Sequence, residues 1–289
     1  MDANQKNEIM QLLLQKIAVA KSQNAYARSI GVSEAQISNL VGGKWDKIST
    51  DMWRKIADAC GYRHEGWQVV ETKNQKIILD VLADAQHYAN TFAIIAPSGA
   101  GKSTATRIYA NTHRNSFRIV CGEFWNKKAF LSELLRSMGR NTEGQTTFEL
   151  MNTIEEHILK CNAPIIILDE ADKLRDEVLY FFITLYNKLE GKCGLVLCST
   201  PYLKTRILKG ERNNKKGYAE IYSRIGRRFV ELSEAGSLDI LKVCHANGIT
   251  MDKAVKMIVD DSDGDLRRVN RLVHVNLRKL RKEATSAAA

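Results

Sequence analysis

Lys102 and Ser103 follow four small residues, Ser98, Gly99, Ala100 and Gly101, and precede Thr104. Residues of these types in this order can hold phosphate. Glycines let the backbone wrap close to an anion, and successive N–H groups then face it together with the positive end of the next helix. In such a loop the lysine reaches the β- and γ-phosphates of a nucleoside triphosphate, and the hydroxyl after it is offered to Mg2+. Lys102 and Ser103 are assigned those roles, with Ser98 to Thr104 lining ATP. Ala96 stands where the pattern usually starts with glycine, which is tolerable if its φ stays negative.

A second constellation ends the run Ile165-Ile166-Ile167-Leu168 with Asp169 and Glu170. Four apolar residues closing on two acids predict a fully buried strand with carboxylates at its C-terminal end. Ligands of open α/β sheets bind at that end. Asp169 is expected to hold Mg2+ through water, and Glu170 to polarise the attacking water. A third strand, Gly194–Cys198, runs into Ser199 and Thr200. A hydroxyl there can reach the γ-phosphate or its attacking water; Thr200 is the first candidate and Ser199 the second. Glu170, Lys102 and Thr200 form the expected catalytic set.

These groups need a sheet behind them. Phe92–Ile95 reads as a short buried strand before the loop, and a helical pattern follows the loop. Arg118–Cys121 reads as another strand. Helices are predicted over Lys73–Tyr88, Lys127–Met138, Phe148–Cys161 and Asp176–Leu189, a basic loop over Lys209–Lys216, and a last short strand after Arg228. From Leu238 to Lys282 the pattern is helical throughout, with Asp265 at a helix start and a basic helix from Arg271.

The first sixty residues are of another kind. Asn4–Val19 has apolar residues at helical spacing. Beyond it, Gln23, Ala27, Gly31-Val32-Ser33, Ile37-Ser38 and Gly43 resemble the λ-repressor-like helix-turn-helix family. In such a unit the second helix enters the DNA major groove. Here it would present Ser33, Gln36, Ser38 and Asn39, with Lys44 and Lys47 beside phosphates. That helix carries no Arg or Lys, so a protein-contact role stays open beside DNA binding. Gly61–Glu71 reads as a linker, with Trp67, Val69 and Val70 leading into the next unit.

The 289 residues are 44% hydrophobic and carry a formal net charge of +10. Such an excess favours a polyanionic partner, nucleic acid first. The six cysteines show no CxxC spacing, which argues against a zinc site or a disulfide framework. No apolar run approaches the roughly 20 residues of a membrane span, and the start has no signal-peptide pattern. A cytoplasmic setting without a membrane partner is expected.

The phosphate-binding loop, the IIILDEAD strand, the Ser-Thr strand end, Ser223-Arg224-Ile225 and Gly264-Asp265-Leu266-Arg267 occur in the order found in AAA+ ATPases. The resemblance covers roughly 68–282. It implies a P-loop core of parallel sheet flanked by helices (α/β), with a C-terminal helical lid and nucleotide held between subunits of a ring or filament. It also implies Arg224 as an arginine finger, with Arg227 and Arg228 as rivals, and Arg267 as a lid arginine that senses nucleotide. The expected domains are 1–62, 63–234 and 235–289.

A λ-repressor-like domain joined to such a core resembles the family of the phage Mu B transposition protein, to which TnsC and IstB are more distantly related. The resemblance implies a homo-oligomeric, ATP-dependent filament on double-stranded DNA that delivers target DNA to a transposase. Lys127 and Lys128 are then the expected phosphate contacts. Two other readings stand beside it: a helicase loader or replication initiator, and a transcription regulator switched by ATP.

Overall fold

The computed structural model describes residues 3–20, 22–62 and 67–287. Residues 63–66 of the expected linker and the last two of the alanine-rich tail lie outside the described residues. Four helices come first: α1 (Ala3–Val19), α2 (Gln23–Ser29), α3 (Glu34–Val41) and α4 (Thr50–Cys60). The turn between α2 and α3 uses Gly31 at φ +63°, and the Ser33 hydroxyl caps α3 by accepting from Gln36 N. Val32, Ile37, Leu40, Trp53 and Ile56 close a core of their own with Ile9 and Leu13 of α1.

The central part runs α5 (Lys73–Tyr88), β1 (Thr91–Ile95), α6 (Lys102–Thr112), β2 (Ser116–Val120), α7 (Lys127–Ser137), α8 (Thr147–Leu159) and β3 (Ile165–Asp169). It continues through α9 (Asp176–Leu179), α10 (Phe181–Leu189), β4 (Gly194–Ser199), α11 (Pro201–Arg212), α12 (Tyr218–Arg224) and β5 (Val230–Glu231). The five strands form one parallel sheet in the order β2-β3-β4-β1-β5. Both faces are covered, which is why β3 and β4 are buried at every position. Ile166, Leu168, Leu195 and Leu197 face the core built with α7, α8 and α10. Ile165, Ile167, Val196 and Cys198 face α5 and α6 through Ile78, Leu82 and Tyr109.

Strand order positions the chemistry. β4 lies between β1 and β3, so the loop after β1 and the acids after β3 are two strand spacings apart, about 10 Å. The end of β4, with Ser199 and Thr200, falls between them.

Three helices follow: α13 (Ser237–Ala246), α14 (Asp252–Ser262) and α15 (Leu266–Ala287). Their apolar faces meet around Ile240, Val243, Ile258, Val269 and Val273, and Trp67 and Val70 pack against them. Gln68 is tied to α13's end, its N–H donating to Asn247 Oδ1 (2.8 Å) and its carbonyl accepting from Asn247 Nδ2 (3.0 Å).

Two expected elements come out differently. Lys209–Arg212 belongs to α11 rather than to a basic loop, because Leu203, Ile207 and Gly210 continue its buried face. The helix expected over Asp176–Leu189 is two helices broken at Tyr180, where Ile183 N turns back to Tyr180 O after three residues instead of four.

Candidate functional site

The loop after β1 curls over the N-terminus of α6. Gly99 at φ +78° and Gly101 at φ +93° take the left-handed conformation that only glycine adopts without strain. Ala96 is fully buried and its N–H donates to Ser199 O at 3.1 Å, so it closes the strand as expected. Lys102 is 9% exposed, and its Nζ donates to Ala96 O at 2.5 Å and Pro97 O at 2.8 Å. Burial pushes its pKa below the ordinary lysine value, against the pull of Asp169. Among the described residues its ammonium hydrogen-bonds only the loop's own carbonyls, and these are weaker partners than a phosphate oxygen.

Asp169 is fully buried at the end of β3. Its Oδ2 accepts from Arg118 Nη2 at 2.6 Å and from Thr106 Oγ1 at 3.4 Å, and Oδ1 accepts from Glu170 N at 3.1 Å. Arg118 stands in β2 in register with Ile167, on the same face as Asp169 two residues on. Its Nε also donates to Thr106 Oγ1 at 2.9 Å. A buried carboxylate needs such a partner. Sequence reading missed Arg118, because an arginine in a short alternating strand reads as solvent-facing.

Glu170 takes φ +56°, a conformation that costs a non-glycine residue about 1–3 kcal/mol. It turns the chain away from the strand and leaves the carboxylate a third exposed, paired with Lys173 Nζ at 2.5 Å. Thr200 Oγ1 donates to Asp172 Oδ2 at 2.8 Å, while Ser199 is buried with its hydroxyl turned to Thr200 O. Arg206 fixes the segment below, donating to the Leu174 carbonyl at 2.7 Å and pairing with Asp176.

The C-terminal helices close the site from above. Leu266 N donates to Gly99 O at 3.1 Å, and Arg267 Nη1 donates to Ser98 Oγ at 3.0 Å. Asp265 caps α15 by accepting from the N–H groups of Arg267 (2.7 Å) and Arg268 (3.3 Å). A Cβ on Gly99 would stand 2.0 Å from Asp265 Oδ1 and 3.0 Å from its Cα. Gly99→Ala should therefore push α15 off the loop and lower the thermal midpoint by several degrees, since such overpacking costs about 1–3 kcal/mol. A melting curve superimposable on wild type would show that α15 does not dock there.

These parts surround one cavity of about 1000 Å3. Ser98 to Thr104, Glu170, Thr200 and Arg267 all line it, with Arg118, Asp172 and Lys173 on the acid side. At its far end stand Trp67, Val70, Val243 and Leu266, an apolar wall suited to a flat ring. Trp67 and Val70, expected only to lead into the next unit, thus bring part of the Gly61–Glu71 stretch into the cavity wall. Asn270 and Arg271 of α15 line it as well.

Of the two expected cation ligands, the Ser103 hydroxyl lines the cavity, while the Asp169 carboxylate is fully buried behind its wall. They are too few to cage a cation alone, and this fits Mg2+, which takes one or two protein oxygens and fills its shell with phosphate and water. Among the described residues no group of three or more His, Cys, Asp or Glu suits a metal ion.

Other expected residues lie outside the cavity. Arg224 is half-buried, its guanidinium 4.9 Å over the Tyr186 ring. Arg227 and Arg228 are exposed. Lys127 and Lys128 open α7, exposed beside Phe124, which is 81% exposed. Ser33, Ser38 and Lys44 are exposed around α3, and Gln36 and Asn39 half-buried. The N-terminal helices meet the core at the other end of α7, where Arg28 Nε donates to Gly139 O at 2.9 Å. The eleven residues of α7 put that contact about 16 Å from Lys127.

Residues 85–207 match the family model described as AAA domain. No curated protein matches the chain. The matched segment runs from the end of α5 through β4 into α11 and so contains the loop, both acids and Thr200. The chain thus carries a P-loop AAA-type ATPase domain.

Proposed function

We propose that this protein is a Mg2+-dependent ATPase whose ATP-bound form holds double-stranded DNA without regard to sequence, assembles on it as a homo-oligomeric filament and serves a transposase. The observation that carries the ATPase reading is the single cavity in which Lys102, Ser103, Glu170, Thr200 and Arg267 converge. In this reading Lys102 leaves the carbonyls of Ala96 and Pro97 for the β- and γ-phosphates. Ser103 and Asp169 hold Mg2+, which offsets charge on the phosphates. Glu170 orients the attacking water, and Thr200 or Ser199 marks the γ-phosphate. Ser98 to Thr104 hold the phosphate chain, and Arg267 joins the C-terminal helices, read as the lid, to the nucleotide. Exposure favours Arg227 and Arg228 over Arg224 as the residue reaching a neighbour's phosphate, since Arg224 already lies on Tyr186.

The DNA reading draws on the formal charge of +10 and on the exposed Phe124, Lys127 and Lys128 at the strand ends. The transposase and the filament come from the resemblance to the Mu B family. The N-terminal four-helix unit is read as a helix-turn-helix domain. Because Ser33 and Gln36 are already engaged with each other, its contacts fall to Ser38, Asn39 and Lys44.

Electron microscopy with random duplex DNA tests this. Continuous filaments with ATP and bare DNA without nucleotide are expected. Discrete rings would fit a helicase loader instead, and one protected operator a transcription regulator. The contact residues have their own test. Each phosphate neutralised contributes about −0.9 to the slope of log K against log salt. Lys127→Ala combined with Lys128→Ala should flatten that slope by about 1.8 units if both touch phosphate. An unchanged slope would remove them from the interface.

A further inference from the structure

The N-terminal helices and the core enclose a second cavity of about 360 Å3, within the range of small-ligand sites. Lys16 of α1, Arg107 of α6 and Arg118 of β2 line it, and among the described residues no carboxylate does. Arg118 is already paired with Asp169, so the positive potential of this half-enclosed space comes mainly from Lys16. Burial pushes the Lys16 ammonium down to about 8, against an opposing pull from Cys60 that is larger than the lowering by Arg107. Lys16 forms no ion pair with any described carboxylate. Ser116 Oγ, on the same wall, is buried with no hydrogen-bond partner among the described residues. Val19 and Ile30 supply an apolar side. A charge taken out of water without a counter-ion is costly, and an anion that brings its own oxygens removes that cost.

We propose that this junction is a second ligand site, distinct from the nucleotide cavity, which takes a small phosphate-bearing anion. Lys16 is its principal charge, and the Ser116 hydroxyl is a donor to a phosphate oxygen. The occupant bridges two separately packed units, α1 to α4 on one side and α6 with β2 on the other, so binding also fastens the N-terminal helices to the core. Arg118 lines this cavity and pairs with Asp169, which places the new site directly behind the nucleotide cavity.

The test uses the full chain saturated with Mg2+ and a non-hydrolysable ATP analogue, so that the nucleotide cavity is filled. Inorganic phosphate and glycerol 3-phosphate are the probes, followed by calorimetry and 31P line broadening. One saturable site per chain is expected for at least one probe. Tighter binding of the ester would identify an organic phosphate as the ligand, and equal binding the free anion; either supports the site. Lys16→Met should weaken binding at least tenfold, Lys16→Arg should keep it within about threefold, and Ser116→Ala should weaken it a few-fold. The ATP-analogue affinity should be the same in all three, which shows that the variants are folded. No saturable binding to wild type, or equal binding to wild type and Lys16→Met, overturns the proposal.

Discussion

Glu170→Gln should bind Mg·ATP as wild type does and turn it over about 10²–10⁴-fold more slowly, the usual contribution of a positioned general base. The substitution keeps the side chain's size and removes the charge that accepts from water. It also removes the pair with Lys173. Both partners are partly open to solvent, which screens the pair, so its loss bears little on stability. The expected result is a protein with an ordinary melting curve and near-normal nucleotide affinity that lingers in the ATP-bound form. On duplex DNA it should form assemblies that persist after ATP is withdrawn. Phosphate release measured in single turnover checks this. Turnover within a few-fold of wild type would take Glu170 out of the reaction and leave its left-handed backbone as a feature of the turn alone.

Arg118→Met should be the most destabilising single change near the site. It strips the fully buried Asp169 of its ion-pair partner at 2.6 Å and leaves it two uncharged donors, the Glu170 N–H and the distant Thr106 hydroxyl. Breaking one side of a buried pair typically costs about 3–5 kcal/mol, a large part of the stability of an ordinary domain. The variant should recover much of that loss with Mg2+ and nucleotide, because a bound cation near Asp169 supplies the missing charge. Thermal melts of the two proteins, with and without Mg·ATP, measure both effects. The gain on adding Mg·ATP should be larger for Arg118→Met than for wild type. Equal gains would mean that Asp169 does not face the metal.

Much of the site was legible because its residues are contiguous. The loop from Ser98 to Thr104 carries its strand, glycines, lysine and helix within sixteen residues, and Asp169 and Glu170 end a run too apolar to be anything but a buried strand. Lys73–Tyr88 appears as a helix with the bounds its periodicity predicts. What stayed hidden depends on sheet order. Nothing in Ser116–Val120 says that β2 lies against β3, and only that pairing brings Arg118 to Asp169. Asp265 reads as a helix cap, and it is one, yet its closeness to Gly99 across 166 residues has no local signature. The Lys209 stretch misled because charge was weighed over period; Leu203 and Ile207 already set the buried face that Gly210 extends under Tyr218. The cavity between the N-terminal helices and α6 with β2 was likewise invisible, since Lys16 and Ser116 are a hundred residues apart.

All of this chemistry requires a nucleoside triphosphate held in the cavity after β1. Calorimetric titration of Mg·ATP into wild type and Lys102→Ala measures that most directly. Wild type should bind one ATP per chain, and Lys102→Ala, with its thermal midpoint intact or raised by relief of the buried charge, should bind at least a hundredfold more weakly. Equal affinity in the two proteins would contradict the account.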